Sequence, residues 1–312
     1  MDIDTVKERA GPRAFGPGDE MPAAYREAAT RMIQFHANSE IMGALIERPF
    51  IRQAPSLDRK LAVSAQVQDE IGHAQLLYRA AEQLGVKTRE EMLAELADGR
   101  GKFLNCFHYP LGSWYELPMI MFFVDGAAMR RQASLKRTSW EPYAHAIDKI
   151  CFEEGFHIKH GEDILRELAT GSRRDQERLQ AAFERWWPRI LQFFGPTDDR
   201  STHDDFAQEV GLKTMSNDAL CNAFLNDYLP KAEKYGLEVP EYPRVEYDPE
   251  RGHYEIEHED LDWAEFAQVS NNEHPTGREQ IDTRARRQAA VEWVREAITD
   301  DAATAQSGAA AD

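Results

Sequence analysis

The chain has 312 residues, 42% of them hydrophobic, enough for one large domain or two ordinary ones with a full core. Thirty-seven basic against 55 acidic residues leave a net charge of −18, which argues against nucleic acid or an anionic membrane as partner, because phosphate repulsion adds to self-repulsion. Three cysteines, Cys106, Cys151 and Cys221, without a Cys-x-x-Cys spacing indicate neither a disulfide framework nor a zinc knuckle and point to a reducing cytosol. No basic, apolar leader opens the sequence, and the longest apolar run, Leu117 to Val124, falls far short of the roughly 20 residues that cross a bilayer. A soluble, cytoplasmic protein is expected.

In chain order, residues 1–20, with Gly11-Pro12 and Gly16-Pro17, read as an extended N-terminal arm. From Pro22 to about Arg52 the apolar pattern is helical and carries Glu40, with His36 one turn earlier on the same face, placed to hydrogen-bond to it rather than to act as a further ligand. Gln53-Ala54-Pro55-Ser56 breaks this helix and supplies an N-cap for a second, Leu57 to about Leu84, which carries Glu70 and His73 and ends at Gly85. The long connection to Ser113 contains a short helix opened by the capping box Thr88-x-x-Glu91. A second capping box, Ser113-x-x-Glu116, opens the third helix, whose apolar wall Leu117 to Val124 runs into Asp125. A fourth helix, Glu141 to Ala169, carries Glu154 and His157.

Residues 21–200 thus form a bundle with a flanking helix, Arg173 to Phe194, kinked at Pro188. Residues 201–300 are an extension with a helix over about Asn217 to Tyr235, a small hairpin within Val245 to Ile256 and a last helix over about Gly277 to Ile298; residues 301–312 read as a disordered tail. No Gly-rich phosphate loop is present, so no nicotinamide or flavin site is expected in this chain.

The functional signal lies in the spacing. Glu-x-x-His occurs at Glu70/His73, Glu154/His157, Glu250/His253 and Glu255/His258. On a helix this spacing puts both side chains on one face, where they can share a metal. Only the first two pairs follow a lone carboxylate at a matching interval, Glu40 before Glu70 and Asp125 before Glu154. Such an interval suits antiparallel neighbours: about twelve residues up, about five to turn and about twelve down, roughly 18 Å each way. Of the other two pairs, Glu250/His253 straddles the turn residue Gly252 and Glu255/His258 lies at period-two spacing in an acidic strand or loop, so neither presents two ligands on a helical face.

Four helices therefore aim Glu40, Glu70, His73, Asp125, Glu154 and His157 inward. That is the ligand set of ferritin-like di-iron and di-manganese proteins, and the expected fold is an all-α, ferritin-like four-helix bundle with additional helices. Four carboxylates and two imidazoles suit iron or manganese, balance two divalent ions and leave positions open for dioxygen. Asp125, one methylene shorter than glutamate, is expected to reach its metal through one oxygen. Iron storage is a competing reading, although the chain extends far beyond one bundle. A ribonucleotide-reductase radical subunit is another, but Leu77 rather than a tyrosine lies one turn after His73. A metal-poor scaffolding subunit is the third.

The motifs also resemble a known family. His36-Ala37-Asn38-Ser39-Glu40-Ile41, Val67-Gln68-Asp69-Glu70 with Gly72-His73, Val124-Asp125-Gly126-Ala127-Ala128 and Glu153-Glu154 with Phe156-His157 are similar to the catalytic subunits of ring 1,2-phenylacetyl-CoA epoxidases, which are bacterial multicomponent monooxygenases. The resemblance extends through Trp187-Pro188, Gly252-His253-Tyr254 and Trp293-Val294-Arg295-Glu296-Ala297. It implies two iron ions, dioxygen as co-substrate, epoxidation of phenylacetyl-CoA in phenylacetate catabolism, and a complex with a homologous metal-free ferritin-like subunit. It further implies a small bridging subunit, together with a separate flavin and iron-sulfur reductase that draws on NADPH. Arg31 and Phe107 match positions near the family's substrate, as does Gln66, where the family has lysine; Phe35 and Asn38 also depart from its pattern.

Only ten of the basic residues are lysine, and an acidic, lysine-poor surface suits a salt-rich cytoplasm. Because salt screens self-repulsion, molar salt should raise the melting temperature. A flat or falling thermal-melt series would remove the halophilic reading.

Overall fold

The computed structural model describes residues 1–201, 204–273, 279 and 282. The expected last helix, the tail and the match at Trp293 to Ala297 lie outside them. The chain is mostly helical, built on four bundle helices: α2 (Ala23–Glu47), α4 (Leu57–Glu82), α6 (Asp125–Leu135) and α7 (Glu141–Ala169). α2 packs on α4, α6 on α7, and α4 on α7, which closes the bundle. The other described helices are α1 (Ile3–Arg9), α3 (Pro49–Gln53) and α5 (Arg89–Ala97) before α6, and α8 (Arg173–Leu191), α9 (Asp204–Glu209), α10 (Asn217–Lys234) and α11 (Trp263–Ser270) after α7.

The helix ends follow local chemistry. Ser56 and Thr88 cap α4 and α5 by accepting the backbone N–H three residues on, and Glu91 completes the capping box. β1 (Val245–Asp248) and β2 (His253–Ile256) pair antiparallel, with Gly252 at φ +70° in the turn.

Two expectations need correction. The N-terminal arm is not extended throughout. Asp2 caps the short helix α1, and Val6 and Phe15 are buried against the chain's own bundle, where Phe15 bridges Trp140. Nor does Ser113-x-x-Glu116 form a capping box. The Glu116 carboxylate instead accepts from the Gly112 N–H (3.1 Å), Arg185 (2.8 Å) and the Trp186 indole (3.0 Å), and these charge-assisted tertiary bonds outcompete a local cap. The expected third helix is consequently a 3₁₀ turn, a π-helical segment Met119–Val124, all of it buried, and then α6 with Asp125 as its first residue.

Apolar residues flank the ligand level at both ends. On one side lie Ile33 and Ala37 of α2, Ala74 and Leu77 of α4, and Ile147 and Ile150 of α7. On the other lie Ala44, Val63, Val67, Met121 and Ile164. α10 packs on α6, with Tyr228 lying against Gly126 where a Cβ would overlap its ring.

α7 can approach the π-helical segment because Gly161 has no side chain; a Cβ there would sit 2.5 Å from the Met121 carbonyl carbon. Gly161→Ala should therefore destabilise the protein by about 1–3 kcal/mol through overpacking, despite the roughly 1 kcal/mol by which alanine is the better helix former. Urea denaturation reads the sign directly, and a stabilised variant would refute the packing account.

Candidate metal centre

The structure brings Glu40, Glu70, His73, Asp125, Glu154 and His157 into one buried layer. Glu40, Glu70, His73 and Glu154 each offer a donor atom within 4.8 Å of the others, and so do Glu70, Asp125, Glu154 and His157. Glu70 and Glu154 belong to both groups. The decoy residues His253 and Glu255 lie on strand β2, outside this cluster.

Each imidazole is held from behind. His73 Nε2 meets Glu153 Oε2 at 3.0 Å, and His157 Nε2 meets Asp69 Oδ2 at 3.3 Å. This turns both Nδ1 atoms inward, His73 to within 3.5 Å of Glu40 and 3.8 Å of Glu154, His157 to within 3.2 Å of Glu70 and 3.4 Å of Glu154. Neither Nδ1, nor Glu154 Oε2, has a hydrogen bond among the described residues, although all three are buried. Buried polar atoms without hydrogen bonds are costly, and these lie in two overlapping groups of carboxylates and imidazoles, so the residues fit hard cations. A carboxylate behind the imidazole is the usual way to orient a metal-binding histidine.

His36 makes the contact expected of it: Nε2 lies 2.8 Å from Glu40 Oε1, while Nδ1 lies 2.9 Å from the Tyr143 hydroxyl. Sequence reasoning missed Tyr143, the outer carboxylates Asp69 and Glu153, and a fifth buried carboxyl, Glu47. The signals were present. Asp69 and Glu153 each precede the glutamate of a Glu-x-x-His, and Glu47 is two turns beyond Glu40 on the same face of α2.

Of the three candidate substrate residues, Phe107 lines the cavity beside the carboxylates, its ring against Gly43. Gln66 is buried behind it, donating to Glu47 (3.0 Å) and Asp125 (3.4 Å). Arg31 lines a separate outer groove of about 710 Å³ and not the inner cavity of about 50 Å³.

Burial and mutual repulsion push Glu70, Asp125 and Glu47 well above the usual carboxyl range. Burial pulls His73 down, but the neighbouring Glu40, Glu70 and Glu154 outweigh it and carry it up to about 9; His157 is raised for the same reason. Glu154 stays low, because the two imidazoles outweigh its burial. Protons thus do the neutralising that metal ions would do.

The comparisons agree with this geometry. A family model described as phenylacetic acid catabolic protein matches residues 10–293. The chain belongs to that family. A member from Escherichia coli (strain K12), a component of 1,2-phenylacetyl-CoA epoxidase, is 41% identical over 284 residues, which cover 91% of each chain. The all-α, ferritin-like fold accords with membership of the phenylacetic acid catabolic family, and no described helix is long and apolar enough to cross a membrane.

The sign of the pH dependence follows. A histidine raised from 6.5 to about 9 stabilises the fold fully below about 6.5 and loses that effect as pH rises through about 9. The raised carboxyls act in the same direction, being neutral at low pH. Metal-free protein should therefore lose stability across that window, whereas loading with a divalent ion, which displaces those protons, should raise the melting temperature more at the upper end than at the lower. An increment independent of pH would contradict the protonated state described.

Proposed function

We propose that this chain is the iron-bearing catalytic subunit of a monooxygenase that adds one atom of dioxygen across a ring bond of phenylacetyl-CoA, giving the 1,2-epoxide, while the other atom leaves as water with two electrons and two protons. The observation that carries the reading is the pair of inward-turned imidazole nitrogens, neither with a hydrogen bond among the described residues, set among four buried carboxylates, in a chain 41% identical to a component of a 1,2-phenylacetyl-CoA epoxidase.

Glu40, Glu70, His73, Asp125, Glu154 and His157 would hold two iron ions, which supply dioxygen activation. The chain's own residues do the rest. Asp69 and Glu153 fix the imidazoles, His36 fixes Glu40, and Gln66 ties Asp125 to Glu47. Leu104, Phe107, Val124 and Phe193 make the cavity wall apolar, which favours an aromatic ring and excludes water. At about 50 Å³ the cavity is smaller than the ~150 Å³ that admits a benzene ring, so ring entry requires wall side chains such as Phe107 to rotate. The outer groove carries Arg31, Lys87, Arg100, Lys102, Arg131 and Lys213, a local basic surface on a chain of net charge −18, suited to the phosphates of coenzyme A.

The two electrons are assigned to NADPH through a separate flavin and iron-sulfur reductase, and the assembly to a homologous metal-free bundle and a small bridging subunit. The E. coli relative is named as one subunit of its epoxidase, which supports a complex. So does the edge-to-face pair Phe152 and Phe156 on α7, left 70% and 63% exposed.

Metal analysis should find about two irons per chain, lost together with epoxidation in Glu70→Ala and Glu154→Ala, while Asp125→Asn keeps iron but impairs coupling. Turnover should need reductase, NADPH and dioxygen together. Full activity without iron would favour a scaffold, and oxygen uptake that only mineralises iron would favour storage.

A further inference from the structure

The inner cavity and the outer groove share four lining residues: Phe35, Leu104, Phe193 and Arg131. Three are apolar, so among the described residues this neck contains one polar side chain. Arg131 is half-buried on α6, and its guanidinium stands 5.9 Å from the centre of the Phe35 ring. Among the described residues it makes no ion pair, and the guanidinium makes no hydrogen bond. Of the other groove cations, Lys87 and Arg100 face Glu95, at 2.7 and 3.8 Å, and Lys102 donates to Asn271, while Arg31, also without an ion pair among the described residues, lines the outer groove but not the neck. A guanidinium is a rigid fork of donors, and this one, half-buried in the neck, keeps those donors available to an acceptor on a ligand.

We propose that Arg131 donates to the carbonyl oxygen of the acyl thioester and so sets how far the aromatic ring enters the metal cavity. The assignment rests on the phenylacetyl-CoA reading above and follows from the order of groups in such a ligand. The ring is separated from the carbonyl by one methylene, and the phosphates lie at the far end of a long arm. With the ring among the carboxylates and the phosphates in the basic groove, the group left in the neck is the thioester. Its carbonyl is an acceptor, and Arg131 is the only side-chain donor there among the described residues. Phe35, lying under the guanidinium, restricts its swing.

The test compares two ligands on two proteins, by calorimetry on the iron-loaded full-length chain without reductase. One ligand is phenylacetyl-CoA; the other is the thioether 2-phenylethyl-CoA, in which a methylene replaces the carbonyl. The wild type should bind the thioester about ten- to a hundredfold more tightly, the range for a hydrogen bond to a charged donor. Arg131→Met should bind both ligands equally, with the affinity that the wild type has for the thioether, and Arg131→Lys should recover part of the preference. Unchanged iron content and thermal melting would show that both variants fold. A loss shared equally by both ligands would move Arg131 to the phosphates and overturn the assignment, as would a preference that survives in Arg131→Met. If the wild type binds neither ligand, the phenylacetyl-CoA reading itself fails.

Discussion

Five carboxyl groups, Glu40, Glu47, Glu70, Asp125 and Glu154, share one buried layer with two imidazoles, and the rest of the structure depends on keeping them together. Each charge taken from water costs several kcal/mol unless compensated, so the layer is stable only when protons or metal ions offset the repulsion. The apolar residues above and below it provide the burial that tolerates this strain. The layer is a local liability for folding, held in place because the helices bearing it have no other way to bury their apolar faces.

The reciprocal contacts between α4 and α7 make the arrangement specific. Asp69 on α4 orients His157 on α7, and Glu153 on α7 orients His73 on α4. A shift of either helix along its axis by one residue would break both contacts at once, so the pair acts as a register lock as well as a support for the imidazoles. Tyr143, His36 and Glu40 extend the same logic to α2. If Glu40 is ionised, His36 Nε2 must carry the proton that faces it, and Nδ1 must then accept from the Tyr143 hydroxyl. One hydroxyl thereby sets the tautomer of a histidine and the orientation of a carboxylate.

The surroundings of the layer are assembled from distant segments. The crossover between α4 and α6 brings Leu104 and Phe107 over the cavity, and the turn after α8 brings Phe193. Asn272, just after α11, donates to the carbonyls of Gly99 and Gly101, tying the C-terminal region to the crossover that walls the basic groove. Elements beyond the four bundle helices thus shape access to the layer, which accounts for a chain much longer than a bundle needs.

The six inner residues and the helices carrying them were legible in the sequence, because Glu-x-x-His and a repeated interval of about thirty residues are consequences of helix geometry, a local property. The capping of α4 and α5 and the hairpin with Gly252 were legible for the same reason. Only the tertiary structure decided what depends on partners remote in sequence. Glu116 abandoned a local cap for Arg185 and Trp186, the N-terminal arm folded a helix onto its own bundle, and Asp69 and Glu153 crossed over to each other's histidine. Periodicity says which face a side chain occupies; what it meets there is set by packing between segments, and no spacing along one helix records that.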